Sequence, residues 1–503
     1  MSGLGCVIGV DMGTTNAKAI ALDGDGREIA RATEHVPLAH PEPGAAEQDP
    51  RAIYDAVTTA VASAARRAAA LGYPVRQIGL SAAMHSILPV RDDGTPLANA
   101  LIWMDTRAAE QAEELRRGAE GKAIYERTGT PIHAMSPLAK LIWLRERRRS
   151  EFDAAAKFIS LKEWVWHGWF GEWQVDASIA SATGLYNLRD GTWDASAMRA
   201  AGITADRLSQ LTATTYTRRD GVREPKLRAA GIGDETTCTI GASDGVLANL
   251  GAGAIGRDEL VLTIGTSLAV RTGTPTPATD PASQIFCYVL DAGRFIAGGA
   301  SNSGGILLDW LYHSLLGEGG ASGEQTGVRN DAKDGLAALV RAAGDVEIGD
   351  LLCLPYISGE RAPIWRAGAG ATFSRLRLEH TRAHLIRAAV EGILLNARWV
   401  AEQVFAKLGR PQRVVATGKV LDADWIRQLT ADIFGLPVLY LGAVDASVLG
   451  AAALARIASG EATWDDVIAH ARPTGTRTTQ PTTGGDAFAG KLERFKALAG
   501  ELT

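Results

Sequence analysis

The apolar positions near the start of the chain predict two short buried strands joined by a polar turn. The first run, residues 6–10, reads Cys-Val-Ile-Gly-Val, and the second covers residues 17–22. Apolar runs of this length that end in turn residues are typical of buried strands. The intervening Gly13-Thr14-Thr15 is therefore predicted to form the tip of a β-hairpin, and Asp23-Gly-Asp-Gly to form the next turn.

The same order of strand, glycine tip and strand returns in the second half of the chain. Residues 259–264 form an apolar strand pattern, Gly265-Thr266-Ser267 a tip and residues 268–272 a returning strand. The two tips begin 252 positions apart in a chain of 503 residues. This spacing predicts two similar domains that face each other across a cleft. We place the boundary in the glycine-rich stretch 251–258, which gives domains 1–250 and 251–503.

Periodicity predicts further elements between and after the hairpins. Helical patterns cover 51–71, 107–117, 137–149 and 161–170. Strand patterns cover 75–80, 87–90 and 158–161. The polar, glycine-rich stretch 317–335 predicts a surface loop, and 472–487 predicts an irregular segment before a final helix.

The composition predicts a globular protein with no global attraction to nucleic acid or to an anionic membrane. The chain is 46% hydrophobic, and its 52 basic and 57 acidic residues give a net charge of -5. The four cysteines lie far apart without a Cys-x-x-Cys pair, which argues against a zinc ribbon or a disulfide framework. No uninterrupted run of about 18 apolar residues occurs. We therefore expect a cytoplasmic protein whose partner is a small molecule.

The two glycine tips are candidate phosphate sites. Such a tip offers backbone N–H groups and hydroxyls to an anion, with no side chain at the glycine. Either tip alone is more simply a structural turn, but two of them, each after an apolar strand, favour a nucleotide clamp. Asp11 precedes the first tip and is a candidate Mg²⁺ ligand or else a turn-capping residue. The Walker pattern is missing, which disfavours a P-loop site.

Asp244 is a candidate general base. It lies between Ser243 and Gly245 in the segment Ile240-Gly-Ala-Ser-Asp-Gly-Val246, where small neighbours leave it accessible. Transfer of a phosphoryl group to a sugar hydroxyl needs a carboxylate that accepts the hydroxyl proton. A simple turn aspartate is the alternative interpretation.

Two further predicted strand ends carry side chains suited to a polyol. They are Leu80-Ser-Ala-Ala-Met-His-Ser86 and Ile102-Trp-Met-Asp-Thr-Arg107. An apolar wall with a few donors and acceptors is what a small polar ligand needs. These features come from Met84, His85, Trp103, Asp105 and Arg107. A buried histidine or tryptophan of this kind is otherwise a core residue.

Taken in order, these motifs resemble the FGGY family of carbohydrate kinases, over a range from Val7 to about Ile457. The segments that carry the resemblance are Asp11-Met-Gly-Thr-Thr-Asn16, Met135-Ser-Pro-Leu-Ala-Lys-Leu-Ile-Trp-Leu-Arg-Glu146, Gly241-Ala-Ser-Asp-Gly245, Thr263-Ile-Gly-Thr-Ser267 and Ala416-Thr-Gly418 through Asp432. Within the family, four segments resemble the gluconokinases: Ser81-Ala-Ala-Met-His-Ser86, Arg127-Thr-Gly-Thr-Pro-Ile-His133, Gly241-Ala-Ser-Asp-Gly-Val246 and Gly359-Glu-Arg-Ala-Pro363.

The resemblance implies an α/β fold of two actin-like ATPase (ribonuclease H-like) domains that flank a central cleft. It implies ATP and Mg²⁺ as cofactors and phosphorylation of a sugar or sugar acid, in particular of D-gluconate to 6-phosphogluconate. Asp244 is implied as general base and substrate ligand, and Asp11 together with Asp244 as the metal-associated carboxylates. The nucleotide contacts it implies are Thr14, Thr15, Asn16, Gly265, Thr266, Gly305, Asp309 and Gly418. The sugar contacts it implies are Met84, His85, Trp103 and Asp105.

The chain departs from the family pattern at two positions. Lys419 follows Gly418 where the family has a second glycine, and Ala423 replaces a serine or asparagine. Lys419 adds bulk and charge where backbone is implied to approach adenosine. Three alternatives stay open: a kinase for a neutral ketose or polyol such as xylulose, a weakly catalytic sugar-binding regulator, and an actin- or chaperone-like ATPase. A homodimer is also left open.

Overall fold

The computed structural model of the chain describes residues 5–316, 330–472, 476–483 and 485–501. The chain divides into two compact units. Unit 1 comprises Met1–Ile255, Gly273–Ala297 and Asp445–Arg472, and unit 2 comprises Gly256–Thr272, Gly298–Val444 and Pro473–Thr503. The division therefore differs from the predicted contiguous domains 1–250 and 251–503, because two segments of the second half of the chain pack within unit 1.

The strands, numbered in chain order, are β1 Cys6–Met12, β2 Asn16–Leu22, β3 Glu28–His35, β4 Glu47–Gln48, β5 Val75–Ala82, β6 Leu88–Val90, β7 Ala100–Leu101, β8 Lys157–Ile159, β9 Gln174–Asp176, β10 Tyr186–Asn187, β11 Thr192–Trp193, β12 Gln210–Thr212, β13 Thr217–Arg218, β14 Thr237–Ser243, β15 Glu259–Ile264, β16 Leu268–Thr274, β17 Phe286–Asp291, β18 Arg294–Ser301, β19 Leu352–Leu354, β20 Thr372–Ser374, β21 Arg413–Thr417, β22 Val438–Tyr440 and β23 Thr478–Thr479.

The α-helices are α1 Pro50–Ala70, α2 Ala109–Arg117, α3 Ala119–Thr128, α4 Pro137–Arg147, α5 Arg149–Ala154, α6 Leu161–Phe170, α7 Ala177–Ser181, α8 Ala195–Ala201, α9 Pro225–Ala229, α10 Asp244–Gly251, α11 Gly305–Trp310, α12 Asn330–Ala343, α13 Arg382–Leu408, α14 Asp424–Phe434, α15 Ala446–Ala458, α16 Trp464–His470 and α17 Ala489–Glu501.

The central sheet of unit 1 has the strand order β13-β14-β5-β1-β2-β3. Strand β1 is antiparallel to β2 and parallel to β5, and β14 is parallel to β5. The carboxyl ends of β1, β5 and β14 therefore lie at one edge of the sheet, which in open α/β sheets is the edge where ligands bind.

Helix α15 explains why a late segment of the chain belongs to unit 1. A Cβ on Gly9 of β1 would overlap the carbonyl oxygen of Val448, and a Cβ on Gly79 of β5 would overlap that of Ala451. Glycine at these two positions thus lets the backbone of α15 lie directly against the sheet. Val448 is fully buried in the resulting core, together with Ile20.

The sheet of unit 2 includes the strand order β16-β15-β21-β22-β23. Strand β15 is antiparallel to β16 and parallel to β21, and β21 is parallel to β22. The tip Gly265-Thr266-Ser267 follows β15, and Gly418 follows β21, so both come from carboxyl ends of neighbouring parallel strands.

Both predicted hairpins are confirmed, since β1–β2 and β15–β16 are antiparallel pairs whose tips are residues 13–15 and 265–267. Two element predictions were wrong. The helix predicted over 137–149 is interrupted at Arg148 and forms α4 and α5. The loop predicted over 317–335 is helical from Asn330, because the stretch 330–343 carries apolar residues at helical spacing, and the rest of it lies outside the described residues.

The segment predicted to be irregular, 472–487, contains the short strand β23, which pairs with β22. Its pattern of polar residues carries no strand signal, so the pairing depends on the tertiary fold rather than on local sequence. The final helix predicted after it is confirmed as α17.

Candidate active site

Asp11 lies in β1, one residue before the strand ends. The Ser81 hydroxyl of the neighbouring strand β5 donates a hydrogen bond of 3.1 Å to Oδ1 of Asp11. Burial, as the larger cause, and the charge of Asp244 raise the pKa of Asp11 to about 7. The hydrogen bond from Ser81 and the charge of Lys18 lower it, but by less. The structure therefore brings the two predicted carboxylates close enough for each charge to oppose the other.

Asp244 is the first residue of α10 and directly follows β14. Its Oδ1 accepts a hydrogen bond of 2.6 Å from the backbone N–H of Gly245. A bulge in the β14–β5 pairing precedes it, and Gly241 has the positive φ of 72° that such a bulge demands. A Cβ at Gly241 would also overlap the carbonyl oxygen of Leu80. The glycine in this motif thus sets where the strand ends and where Asp244 begins the helix.

The Asp11–Asp244 pair fits a divalent cation. Two opposed carboxylates, one with a raised pKa, are a donor set that bound Mg²⁺ would stabilise in its ionised form. Within the described residues, no group of three or more His, Cys, Asp or Glu side chains gathers as a metal cage. Mg²⁺ commonly binds through one or two carboxylates plus substrate phosphates, so a pair is sufficient.

Thr14 of the first glycine tip forms a hydrogen bond with Trp103, one of the predicted sugar contacts. The backbone N–H of Gly13 donates to the carbonyl of Asn16 at 3.1 Å, which closes the turn. Oγ1 of Thr14 accepts a hydrogen bond of 2.9 Å from the indole N–H of Trp103, and the Thr14 carbonyl accepts one of 2.7 Å from Gln48. Thr15 is exposed. Hydrogen bonds from Trp103 and Gln48 therefore hold the tip at Thr14, while Thr15 is exposed to solvent.

Met84 and Trp103 line a cavity in unit 1 together with Thr14, Gln48 and Lys162. The cavity is therefore lined by residues of the first tip, of the two predicted polyol-binding segments 80–86 and 102–107, and of α6. The structure buries His85 instead, at 6% exposure, with its Nδ1 2.7 Å from the carbonyl oxygen of Ala182.

Asp105 is also buried, at 1% exposure. Its Oδ2 lies 2.6 Å from Nη2 of Arg107 and accepts a hydrogen bond from the backbone N–H of Ala46 at 3.1 Å. Arg107 in turn pairs with Glu42 and Glu47 at 2.6 and 2.7 Å. As the structure stands, Asp105 orients Arg107, and contact of either side chain with a sugar stays a prediction.

Two buried lysines that the sequence reasoning did not assign to the site lie next to it. Lys162 Nζ donates to Oδ2 of Asp176 at 2.8 Å and to the carbonyl of Ala242 at 3.2 Å. Lys140 Nζ donates to three backbone carbonyls. The signal for Lys140 was available, because it interrupts the apolar run Leu138–Leu144 of α4, where a lysine is unusual.

In unit 2, the second glycine tip contacts the start of α11. The backbone N–H of Gly305 donates to the carbonyl of Gly265 at 2.7 Å, and that of Ile306 donates to Thr266 at 3.2 Å. A Cβ at Gly304 would lie 2.7 Å from the Ser267 backbone, so this approach requires glycine. Gly265, Thr266 and Gly305 thus lie together, whereas Asp309 lies on the exposed side of α11. Contact of these residues with a nucleotide stays a prediction.

Gly418 lies beside the same tip. It has a φ of 112°, and a Cβ there would overlap the carbonyl oxygen of Ile264, the residue before Gly265. Lys419 begins a 3₁₀ turn, Lys419–Asp422, and its side chain is exposed. Because Gly418 alone carries the positive φ, the backbone tolerates lysine at the next position.

Glu360 is a second group that sequence reasoning left without a role. It is fully buried in unit 2, and its carboxylate accepts hydrogen bonds from the hydroxyls of Ser301 and Ser303 at 2.8 and 2.7 Å and from the backbone N–H of Asn302 at 2.8 Å. The Ser301–Ser303 loop leads directly into Gly304 and α11. Glu360 therefore fixes the backbone that supports the second tip.

The family comparison agrees with this geometry. Residues 6–251 match the model of the FGGY family of carbohydrate kinases, N-terminal domain, and residues 260–459 match the model of its C-terminal domain. The chain belongs to the FGGY family of carbohydrate kinases. The family resemblance and the two-domain, actin-like fold expected from the motifs are confirmed. FGGY membership makes the chain an enzyme that transfers phosphate to an alcohol, and it implies ATP use.

Relatives of this FGGY kinase include enzymes with different substrates. The chain is 36% identical over 460 residues to a gluconokinase from Bacillus subtilis (strain 168), which covers 90% of this chain and 88% of the relative. Two crystal structures from Lactobacillus acidophilus, a gluconate kinase and a ligand-bound xylulose kinase, are each 30% identical, with TM-scores of 0.88 and 0.87. Each covers 99% of this chain and 97% of its own.

In the part of this FGGY kinase that the structure describes, no helix has both the length and the apolar character that crossing a bilayer requires.

Proposed function

We propose that this FGGY kinase transfers the γ-phosphoryl group of ATP to a hydroxyl of D-gluconate and forms 6-phosphogluconate. The observation that carries the chemistry is the proximity of Asp11 and Asp244 at the carboxyl edge of the unit 1 sheet. The choice of gluconate is supported by the 36% identity to a gluconokinase over 90% of the chain.

In this proposal Asp244 is the general base. A carboxylate at the start of α10 accepts the proton of the attacking sugar hydroxyl while the hydroxyl oxygen bonds to the γ-phosphorus. The bond from that phosphorus to the β–γ bridging oxygen breaks, and ADP leaves. The hydrogen bond from the N–H of Gly245 fixes the carboxylate orientation. Met84, Trp103 and Thr14 line the cavity assigned to the sugar, and His85 and Asp105 support its walls from buried positions.

Asp11 and Asp244 are the residues assigned to Mg²⁺. When bound, Mg²⁺ neutralises charge on the nucleotide phosphates and positions them. Ser81 holds Asp11 in place by its hydrogen bond.

Backbone groups and hydroxyls supply the nucleotide contacts that we assign. In unit 1, these contacts are assigned to Thr14 and Thr15 of the first tip and to the adjoining Asn16, which offer hydroxyls and N–H groups to phosphate. In unit 2, the corresponding group is Gly265 and Thr266, with Gly305, Asp309 and Gly418 assigned to the rest of the nucleotide. The close approach of Gly305 and Gly418 to the second tip supports this assignment.

A neutral ketose such as D-xylulose is the second candidate substrate. Among the described residues that line the unit 1 cavity, Lys162 is the one cationic side chain, and it is paired with Asp176 at 2.8 Å. A cavity whose cation is already neutralised suits an uncharged polyol as well as an acid. The 30% identity to a xylulose kinase adds weight to this alternative.

The test is a coupled ADP-release assay with D-gluconate, D-xylulose and glycerol offered separately. The proposal predicts the highest kcat/KM for D-gluconate, and Asp244→Asn gives the background of ATP hydrolysis without sugar phosphorylation. Preference for D-xylulose or glycerol would overturn the gluconate assignment but keep the kinase. Sugar binding by calorimetry without turnover would instead favour the sugar-binding regulator.

A cytoplasmic location and a homodimer stay predictions.

A further inference from the structure

Lys140 is a buried lysine on α4 that ties three separate backbone segments together. Its exposure is 0%, and the residues on either side of it in the helix are the buried Ala139 and Leu141. Nζ donates to the carbonyl oxygens of His85 at 2.8 Å, Ile102 at 2.6 Å and Met135 at 2.9 Å. Three acceptors match the three N–H donors of an ammonium group.

Two of the three carbonyls belong to the loops that line the cavity assigned to the sugar. His85 follows Met84, and Ile102 precedes Trp103. His85 also has a φ of 69°, a left-handed conformation that is uncommon for a residue with a side chain and that surrounding contacts must hold. The hydrogen bond from Lys140 is such a contact, and it acts on the peptide unit between His85 and Ser86, one residue beyond Met84.

Burial makes the charged form of Lys140 energetically costly, so a lysine is a poor choice for packing alone. Within the described residues, no carboxylate lies within 4.0 Å of Nζ, and a buried ammonium without an ion-pair partner costs considerable desolvation energy. Desolvation lowers the pKa of Lys140 to about 7, and the charge of Asp105 partly opposes this. A methionine would fill the same space in α4 without that cost. The hydrogen bonds to the two loops are what the amine adds.

We propose that Lys140 is a positioning residue for the sugar site, which fixes the Met84 and Trp103 loops relative to each other by holding the carbonyls of His85 and Ile102. The proposal rests on the proposed function, since it assigns the unit 1 cavity to the sugar. The two loops contribute Met84 and Trp103 to the lining of that cavity. Loss of the amine therefore loosens the walls of the cavity while every side chain that lines it is retained.

Lys140→Met tests this, with Lys157→Met as a matched control. Lys157 Nζ also donates to backbone carbonyls, those of Asp206 at 2.9 Å and Leu208 at 3.1 Å, and neither belongs to the cavity. We expect Lys140→Met to raise the KM and the calorimetric Kd for D-gluconate by about tenfold or more, because small displacements of binding groups have large effects. KM for ATP should stay within about twofold in both variants.

The outcomes separate the two proposals. If Lys140→Met is folded at the assay temperature and binds D-gluconate or D-xylulose as wild type does, Lys140 only packs the core and the inference is wrong, while wild-type activity leaves the proposed function intact. If wild type binds neither sugar, the proposed function and the inference both fail. Should Lys140→Met not fold, Lys140→Arg keeps the charge but displaces the donors from the carbonyls of His85 and Ile102, so a rise in sugar KM without a rise in ATP KM is expected. Equal rises in both would overturn the positioning role.

Discussion

Oγ of Ser81 lies 3.1 Å from Oδ1 of Asp11 and donates a hydrogen bond to it, which joins β5 to β1 at the sheet edge where α10 begins with Asp244. The hydrogen bond stabilises the carboxylate, but burial and the charge of Asp244 outweigh it and raise the pKa of Asp11 to about 7. The ionised form of Asp11 is therefore destabilised in the metal-free protein. This is expected of a carboxylate whose charge a bound cation would neutralise.

Asp11→Asn should stabilise the metal-free protein while it lowers activity. The folded-state pKa of about 7 lies above the ordinary 3.8, so the folded state binds more protons between these values and stability falls as pH rises through them. Asparagine carries no charge to bury. In EDTA at about pH 8 we expect a free energy of unfolding about 1 kcal/mol or more above wild type, since one pKa unit corresponds to about 1.4 kcal/mol.

Thermal or urea unfolding across pH measures this difference. It should shrink towards about pH 4, where Asp11 is protonated in the folded state. Asp25→Asn is the control, because Asp25 lies exposed in the β2–β3 turn. A stability loss for Asp11→Asn at alkaline pH would show that the charge of Asp11 is not opposed by its surroundings.

The two hairpins and the order of the functional motifs were predictable from the sequence, because each depends on a local pattern. Asp11 and the Gly13 tip follow an apolar run, and the run 259–264 repeats it. The proximity of Asp11 to Asp244 was not predictable from periodicity, since it depends on the parallel pairing of β1, β5 and β14. Pairing between distant strands leaves little signal in a single chain.

The buried polar groups show the limit of the sequence reasoning more sharply. The sequence pattern predicts that Asp105 faces a ligand. In the fold, Asp105 instead forms an ion pair with Arg107 and accepts a hydrogen bond from the N–H of Ala46. Lys140 and Glu360 lie in motifs that carried the family resemblance. The partners of Lys140 are backbone carbonyls, and those of Glu360 include the backbone N–H groups of Asn302 and Arg361. A backbone carbonyl or N–H is present at nearly every residue, so composition cannot reveal which ones converge.

Gly79→Ala should destabilise unit 1 without any change in the site residues. A Cβ there would overlap the carbonyl oxygen of Ala451 and force α15 away from the sheet. We expect a loss of about 1–3 kcal/mol in the free energy of unfolding, the usual cost of overpacking. Gly24→Ala is the matched control, because no atom lies within 4 Å of its added Cβ. Equal stability of the two variants would contradict the close approach of α15.

Glu360→Gln should weaken nucleotide use selectively. The amide places an N–H₂ group among donors from Ser301, Asn302 and Ser303, so the loop before Gly304 loses part of its anchor. We expect KM for ATP to rise by about fivefold or more, with KM for D-gluconate within about twofold. Steady-state kinetics with each substrate varied in turn measures this. A rise confined to the sugar KM would contradict the assignment of the second tip to the nucleotide.

Lys419→Gly should have little effect on catalysis. The Lys419 side chain is exposed, and the positive φ of this turn lies at Gly418 instead. We expect KM for ATP to stay unchanged or to fall modestly, within about threefold, with kcat and the sugar KM unaltered. Should the glycine variant instead need much more ATP, Lys419 would be a phosphate ligand.

The central claim, that Asp244 is the base in sugar phosphorylation, is tested most directly by kcat of Asp244→Asn. Asparagine keeps the size and the hydrogen bond from the N–H of Gly245 but accepts no proton. With D-gluconate and ATP saturating, coupled ADP release should fall by about 10²–10⁴-fold, the usual contribution of a general base, while calorimetric sugar Kd stays near that of wild type. Retention of more than about a tenth of wild-type kcat would contradict the assignment.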